Sequence, residues 1–105
     1  MKLNFFFLIL LITSQVFSQK PLNLKGKTLP VPKTMFSKEN ITYAKYGDRE
    51  VKLDIYKPKI LKKAPVVLLL HGGAWMYGTR KVFQGLAVQL ATEGYAVLNM
   101  DYRLS

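Results

Sequence analysis

Residues Pro65–Trp75 read Pro-Val-Val-Leu-Leu-Leu-His-Gly-Gly-Ala-Trp, and they constrain the fold more than any other stretch. Pro65 to Leu70 carries no polar side chain, and its Val and Leu content suits a strand buried on both faces of a parallel sheet. Gly72 and Gly73 then let the backbone turn sharply and come close to another group. This places bare N–H groups at the carboxyl end of a central strand, where open α/β sheets bind ligands. Fixed donors at such a point stabilise negative charge developing on a carbonyl oxygen. The plainer alternative is a tight strand-to-helix turn without a ligand.

The flanking sequence supplies the rest of an α/β unit. Asn40 to Tyr46 is rich in β-formers and predicts a first strand; Gly47-Asp48 is a turn signal. Val51, Leu53 and Ile55 alternate with Lys52, Asp54 and Tyr56, which predicts a second strand with the first set inward and the second outward. Together they form an antiparallel hairpin at a sheet edge, ended by Pro58. Val82 to Glu93 predicts a helix whose apolar stripe is Phe83, Leu86, Ala87, Leu90 and Ala91, stopped by Gly94. Ala96 to Met100 is the next strand, parallel to the third through a βαβ crossover. Arg80 and Lys81 are expected to face solvent. Asp101 and Arg103 are expected to pair with neighbouring loops rather than with a substrate carboxylate.

His71-Gly72-Gly73-Ala74-Trp75 resembles the HGGG-type loop of α/β-hydrolase esterases and lipases, which joins the third strand to the first helix. Gly94–Ser105, containing Asp101-Tyr102-Arg103, is similar to the fourth strand of that family, and Val51–Pro58 to its second. The resemblance runs from about Ile41 to Ser105. It implies that the Gly72 and Gly73 amides form the oxyanion hole and that His71 braces the loop rather than acting as general base. Ala74 stands where many relatives have a third glycine and supports the loop. Trp75 either lines the substrate pocket or packs beneath the loop. Gly73→Val is expected to cut turnover far more than it affects folding.

The family's nucleophile lies in a Gly-x-Ser-x-Gly elbow, followed by an acid and a histidine. The serines here are Ser14, Ser18, Ser37 and Ser105, none in such an elbow, and His71 is the sole histidine. No triad member is therefore assigned, and the chain alone is expected to be inactive. The expectation is an amino-terminal fragment of a larger carboxylic ester hydrolase, with a truncated relic or secreted binding protein as the alternative. No metal-ligand spacing, phosphate loop or dinucleotide fingerprint occurs, so no cofactor is implied. The partner expected is a small-molecule ester; its identity and the oligomeric state stay open.

Lys2, the apolar run Phe5–Ile12 and the small residues Val16 and Ser18 fit a secretory signal peptide over residues 1–18, cut before Gln19. So short a run cannot serve as a stable membrane anchor, since a spanning helix needs about 20 apolar residues. The mature chain is expected to be secreted or periplasmic, and the absence of cysteine is compatible with that. Residues 19–39 read as an extended, proline-containing leader, and residues 40–105 as a partial α/β-hydrolase domain. The formal net charge is +10, but the lysines are scattered rather than clustered on one face. They read as solvated loop and edge residues rather than a nucleic-acid surface.

Overall fold

A computed structural model describes residues 26–105, so the signal-peptide segment and the first part of the leader lie outside the described residues. Four strands form one mixed sheet: β1 (Met35–Tyr46), β2 (Arg49–Pro58), β3 (Val66–Leu70) and β4 (Ala96–Met100). Their order is β1-β2-β4-β3. β1 and β2 are antiparallel, with Tyr46 opposite Arg49 across the Gly47-Asp48 turn. β2 and β4 are also antiparallel, whereas β3 and β4 run parallel, Leu68 beside Leu98. The α/β reading and the antiparallel-hairpin-then-parallel arrangement are therefore as expected.

The connection from β3 to β4 holds the glycine loop, a 3-10 turn at Arg80–Phe83 and helix α1 (Gln84–Thr92). Gly94 ends the helix at φ +106. The Tyr95 N–H reaches back to Leu90 O and the Gly94 N–H to Ala91 O, which closes the last turn.

The core lies on the face of the sheet that α1 covers. It contains Met35, Tyr56, Ala87, Val88, Ala91 and Val97. Two sequence expectations change here. The helix turns Val88 inward with Ala87 and Ala91, while Phe83, Leu86 and Leu90 are only half-buried. Small residues at 87 and 91 bring the helix close to the sheet, and that closeness selects the buried stripe. On β2, Tyr56 and Asp54 are buried rather than outward, because Tyr56 lies beneath α1 and Asp54 meets a cation described below.

The leader ends earlier than expected, since β1 begins at Met35, which is buried opposite Pro58. The residues before it lie along α1. Gly26 N–H donates to Val82 O at 2.8 Å, and Gly85 N–H donates to Lys27 O at 2.9 Å. The Gln84 amide bonds both the N–H and the C=O of Leu29. A Cβ at Gly85 would stand 2.5 Å from Lys27 O, so glycine is what permits this approach.

β3 is not buried on both faces. Val66, Leu68 and Leu70 are 64%, 58% and 58% exposed. They point away from α1, and no described residue covers them. β3 is also the last strand of the sheet, so one of its edges is unpaired among the described residues.

Candidate oxyanion loop

β3 delivers the chain to His71 at its carboxyl end. The next residues fold back on themselves: Met76 and Tyr77 N–H both donate to Gly73 O, at 3.0 and 3.2 Å. The turn is tight enough that a Cβ on Gly73 would fall 1.7 Å from Tyr77 O, and Gly73 adopts φ +134. Ala74 and Trp75 follow at φ +51 and +62, a left-handed pair that costs non-glycine residues some strain. Gly72 differs, since a Cβ there would meet nothing within 4 Å.

Among the described residues, neither the Gly72 nor the Gly73 N–H has a backbone or side-chain acceptor. Both glycines line a hollow of about 330 Å³ whose other walls are Tyr77, Gly78 and Val82. Trp75 does not pack beneath the loop. It is 72% exposed, its C=O accepts hydrogen bonds from the N–H and Oγ–H of Ser105, and Tyr77 rather than Trp75 walls the hollow. The steric need at Gly73 also changes the Gly73→Val expectation. A side chain there would break the turn itself, so that substitution cannot separate turnover from folding.

His71 is buried, and its ring contacts the loop it precedes. Nδ1 lies 2.8 Å from Gly72 O; a carbonyl only accepts, so Nδ1 carries the proton. The ring stacks on Tyr102 at 4.5 Å between centroids and 18° between planes. The Tyr102 hydroxyl donates to His71 O at 2.8 Å. Gly78 makes room for this ring, since a Cβ there would sit 2.6 Å from Nδ1.

Arg80 overturns the solvent-facing expectation. It is 6% exposed and ties the far end of the loop to three strands. Its Nη1 donates to Asp101 Oδ2, its Nη2 to Asn40 Oδ1, and its Nε lies 3.0 Å from Asp54 Oδ2. The Arg80 N–H donates to Asp101 Oδ1 at 2.6 Å, and Asn99 Nδ2 donates to Arg80 O at 2.8 Å. Burial works against the guanidinium charge. Hydrogen bonds and fields from Asp54 and Asp101 outweigh it and hold the group above its ordinary range. Lys81 is exposed, as expected.

Asp101 is thus a structural acceptor, and its other neighbour is His71 Nε2 at 3.7 Å. Arg103 does not pair with it but lies over the Tyr46 ring, 5.2 Å from the centroid. Asn40, Asp54, Arg80 and Tyr102 are the site-supporting residues that sequence patterning missed. The sequence marks two of them, Tyr102 within the Asp101-Tyr102-Arg103 block and a carboxylate at 54 on an alternating strand, without giving either a role at the loop. The partner of Asp54, Arg80, lies 26 residues away, beyond the reach of any local period.

The Gly72–Gly73 peptide can donate to a ligand oxygen, and so can the peptide before it. No group of at least three His, Cys, Asp or Glu side chains able to hold a metal ion occurs among the described residues.

Comparison with known proteins shows the family and the fold. The BD-FAE family model matches residues 53–105. Esterase LipC of Mycobacterium tuberculosis is 42% identical over 65 residues, covering 57% of this chain and 16% of that protein. Esterase B of Lactobacillus rhamnosis is 34% identical, with a TM-score of 0.58 over 71% of this chain and 24% of the esterase. Esterase 2 of Thermogutta terrifontis, solved with butyrate bound, is 29% identical, with a TM-score of 0.57 over 63% of this chain and 25% of the esterase. The chain therefore spans a quarter or less of these relatives. The described four-stranded sheet and helix α1 match their amino-terminal part, and with half its length inside the family model the chain belongs to the BD-FAE family of α/β-hydrolase esterases.

Proposed function

We propose that this chain supplies the oxyanion-stabilising loop and first strands of a secreted serine hydrolase acting on carboxylic esters. One observation carries the reading: two consecutive residues, Gly72 and Gly73, line the same hollow, and neither N–H has an acceptor among the described residues. Attack on an ester carbonyl places negative charge on its oxygen, and preorganised N–H donors lower that barrier. The attacking serine, its acid and its base come from polypeptide beyond these residues. Reaction proceeds through an acyl-enzyme that water then hydrolyses. The butyrate held by the Thermogutta esterase suggests small acyl groups for this member too.

A fluorophosphonate probe tests the assignment. Serine Oγ attacks phosphorus and fluoride leaves, so only an activated serine is labelled. The 105-residue chain alone is expected to remain unlabelled. A polypeptide that continues the reading frame through a Gly-x-Ser-x-Gly elbow is expected to label once per chain. Gly72→Val keeps the N–H but sets a branched side chain beside it, at a position where a Cβ meets nothing within 4 Å, and is expected to slow labelling about tenfold or more by obstructing the phosphonyl oxygen's approach to that donor. Unchanged labelling in that variant would remove the oxyanion role. Secretion is tested separately by amino-terminal sequencing of the exported product, which is expected to begin at Gln19.

A further inference from the structure

Two carbonyls beside the bare amides are held by side chains, and the peptide plane gives this a consequence. C=O and N–H of one trans peptide are locked in a plane and point in opposite directions. No cis peptide occurs in the described chain. The peptide joining His71 to Gly72 has its C=O held by the Tyr102 hydroxyl at 2.8 Å. Its N–H, the Gly72 donor, is therefore aimed away from Tyr102. The peptide joining Gly72 to Gly73 has its C=O held by His71 Nδ1–H at 2.8 Å. Its N–H, the Gly73 donor, is aimed away from the imidazole.

We propose that Tyr102 is a positioning residue for the oxyanion site: its hydroxyl sets the direction of the Gly72 N–H, and its ring holds the imidazole that sets the Gly73 N–H. This rests on the oxyanion reading above. The ring stack couples the two controls, because the imidazole is gripped between Tyr102 on its face and Gly78 at its edge. Without the hydroxyl, the 71–72 peptide keeps its covalent path and its carbonyl loses the donor that fixes its rotation. Tyr102 itself is placed by β4, which ends two residues earlier, and by Asp101, whose N–H donates to Lys52 O at 2.9 Å. The tyrosine thus carries the rigidity of the sheet to a loop outside it. Tyr102 touches no reacting atom in this assignment, so it acts only through the peptide it holds.

The test is Tyr102→Phe, which keeps the stack and deletes the hydroxyl. In a ¹⁵N-glycine-labelled chain, which has seven glycines, amide residual dipolar couplings report each N–H direction. The expected result is a changed Gly72 coupling with Gly47, Gly78 and Gly94 unchanged. Tyr102→Leu removes the stack as well and is expected to move both Gly72 and Gly73. An unmoved Gly72 in Tyr102→Phe, or all glycines moving together, would overturn the proposal. The reading beneath it is separated by turnover of a short-chain p-nitrophenyl ester in the elbow-bearing polypeptide. There Tyr102→Phe is expected to lower kcat about tenfold with KM kept, less than the 10²–10³ of a deleted donor. A reoriented Gly72 with unchanged kcat would keep the peptide-plane control and remove the oxyanion function.

Discussion

Replacing Gly73 with alanine forces a choice between the new Cβ and the Tyr77 carbonyl, which it would meet at 1.7 Å. Neither can yield cheaply, because the carbonyl is backbone and φ +134 is a conformation that L side chains rarely adopt. Relief requires opening the turn. That gives up the Met76 and Tyr77 hydrogen bonds to Gly73 O, each worth about 1 kcal/mol net. A strained alternative that kept them would cost about 1–3 kcal/mol in backbone conformation, before the clash is counted. The cheaper route sets the cost, so about 2 kcal/mol is expected, a factor of about 30 in the opening equilibrium of the loop. Since Trp75, Met76 and Tyr77 are largely exposed, this cost is local and should not unfold the sheet. Amide hydrogen exchange is the assay. In Gly73→Ala the Met76 and Tyr77 amides should exchange about 30-fold faster, with β2 and β4 amides unchanged. Gly72→Ala, with nothing within 4 Å, should leave all of them alone. Equal protection in the two variants would refute the reasoning from close approach.

Three further outcomes follow from other parts of the molecule. Arg80→Met should destabilise the fold by about 3–5 kcal/mol in urea denaturation, because it strands Asp54 and Asp101 without their cation; a loss below about 1 kcal/mol would contradict the buried-bridge account. Burial and the Glu39 contact raise the Tyr56 pKa well above its ordinary value of 10.0, so the unfolded chain ionises first. Stability should be intact below about pH 10 and fall above it by up to about 1.4 kcal/mol per pH unit from this group, and Tyr56→Phe should flatten that fall. Leu68→Lys should raise the soluble yield while leaving α1 packing unchanged, since Leu68 lies on the bare face of β3; unchanged solubility would mean that this face is not what limits it.

The parts of the fold legible in the sequence were those written in local periods. The Ala96–Met100 strand, the Gly47-Asp48 turn and the Gly94 stop each depend on neighbouring residues, and each is found where expected. What was illegible depends on partners distant in sequence. Arg80 looks like a loop cation until β2 and β4 bring Asp54 and Asp101 to it. Tyr56 looks outward by alternation because period alone does not say that a helix covers that face. The loop glycines were visible as a pair, but not their division of labour. Gly73 is demanded by the Tyr77 carbonyl, whereas Gly72 has no steric need within the chain. That freedom is consistent with a position kept clear for something outside the chain.

The Gly72 and Gly73 amides are proposed to point at the oxygen on which charge develops. The most direct measurement is the pair of amide proton shifts in a ¹⁵N-glycine-labelled polypeptide that carries this chain through a serine elbow, before and after phosphonylation. The phosphonyl oxygen stands in for the tetrahedral oxyanion. Both protons should move strongly downfield on adduct formation, while the Gly78 and Gly94 protons stay in place. If the Gly72 and Gly73 protons stay where they were in a stoichiometric adduct, these amides do not face the reacting oxygen and the account is wrong.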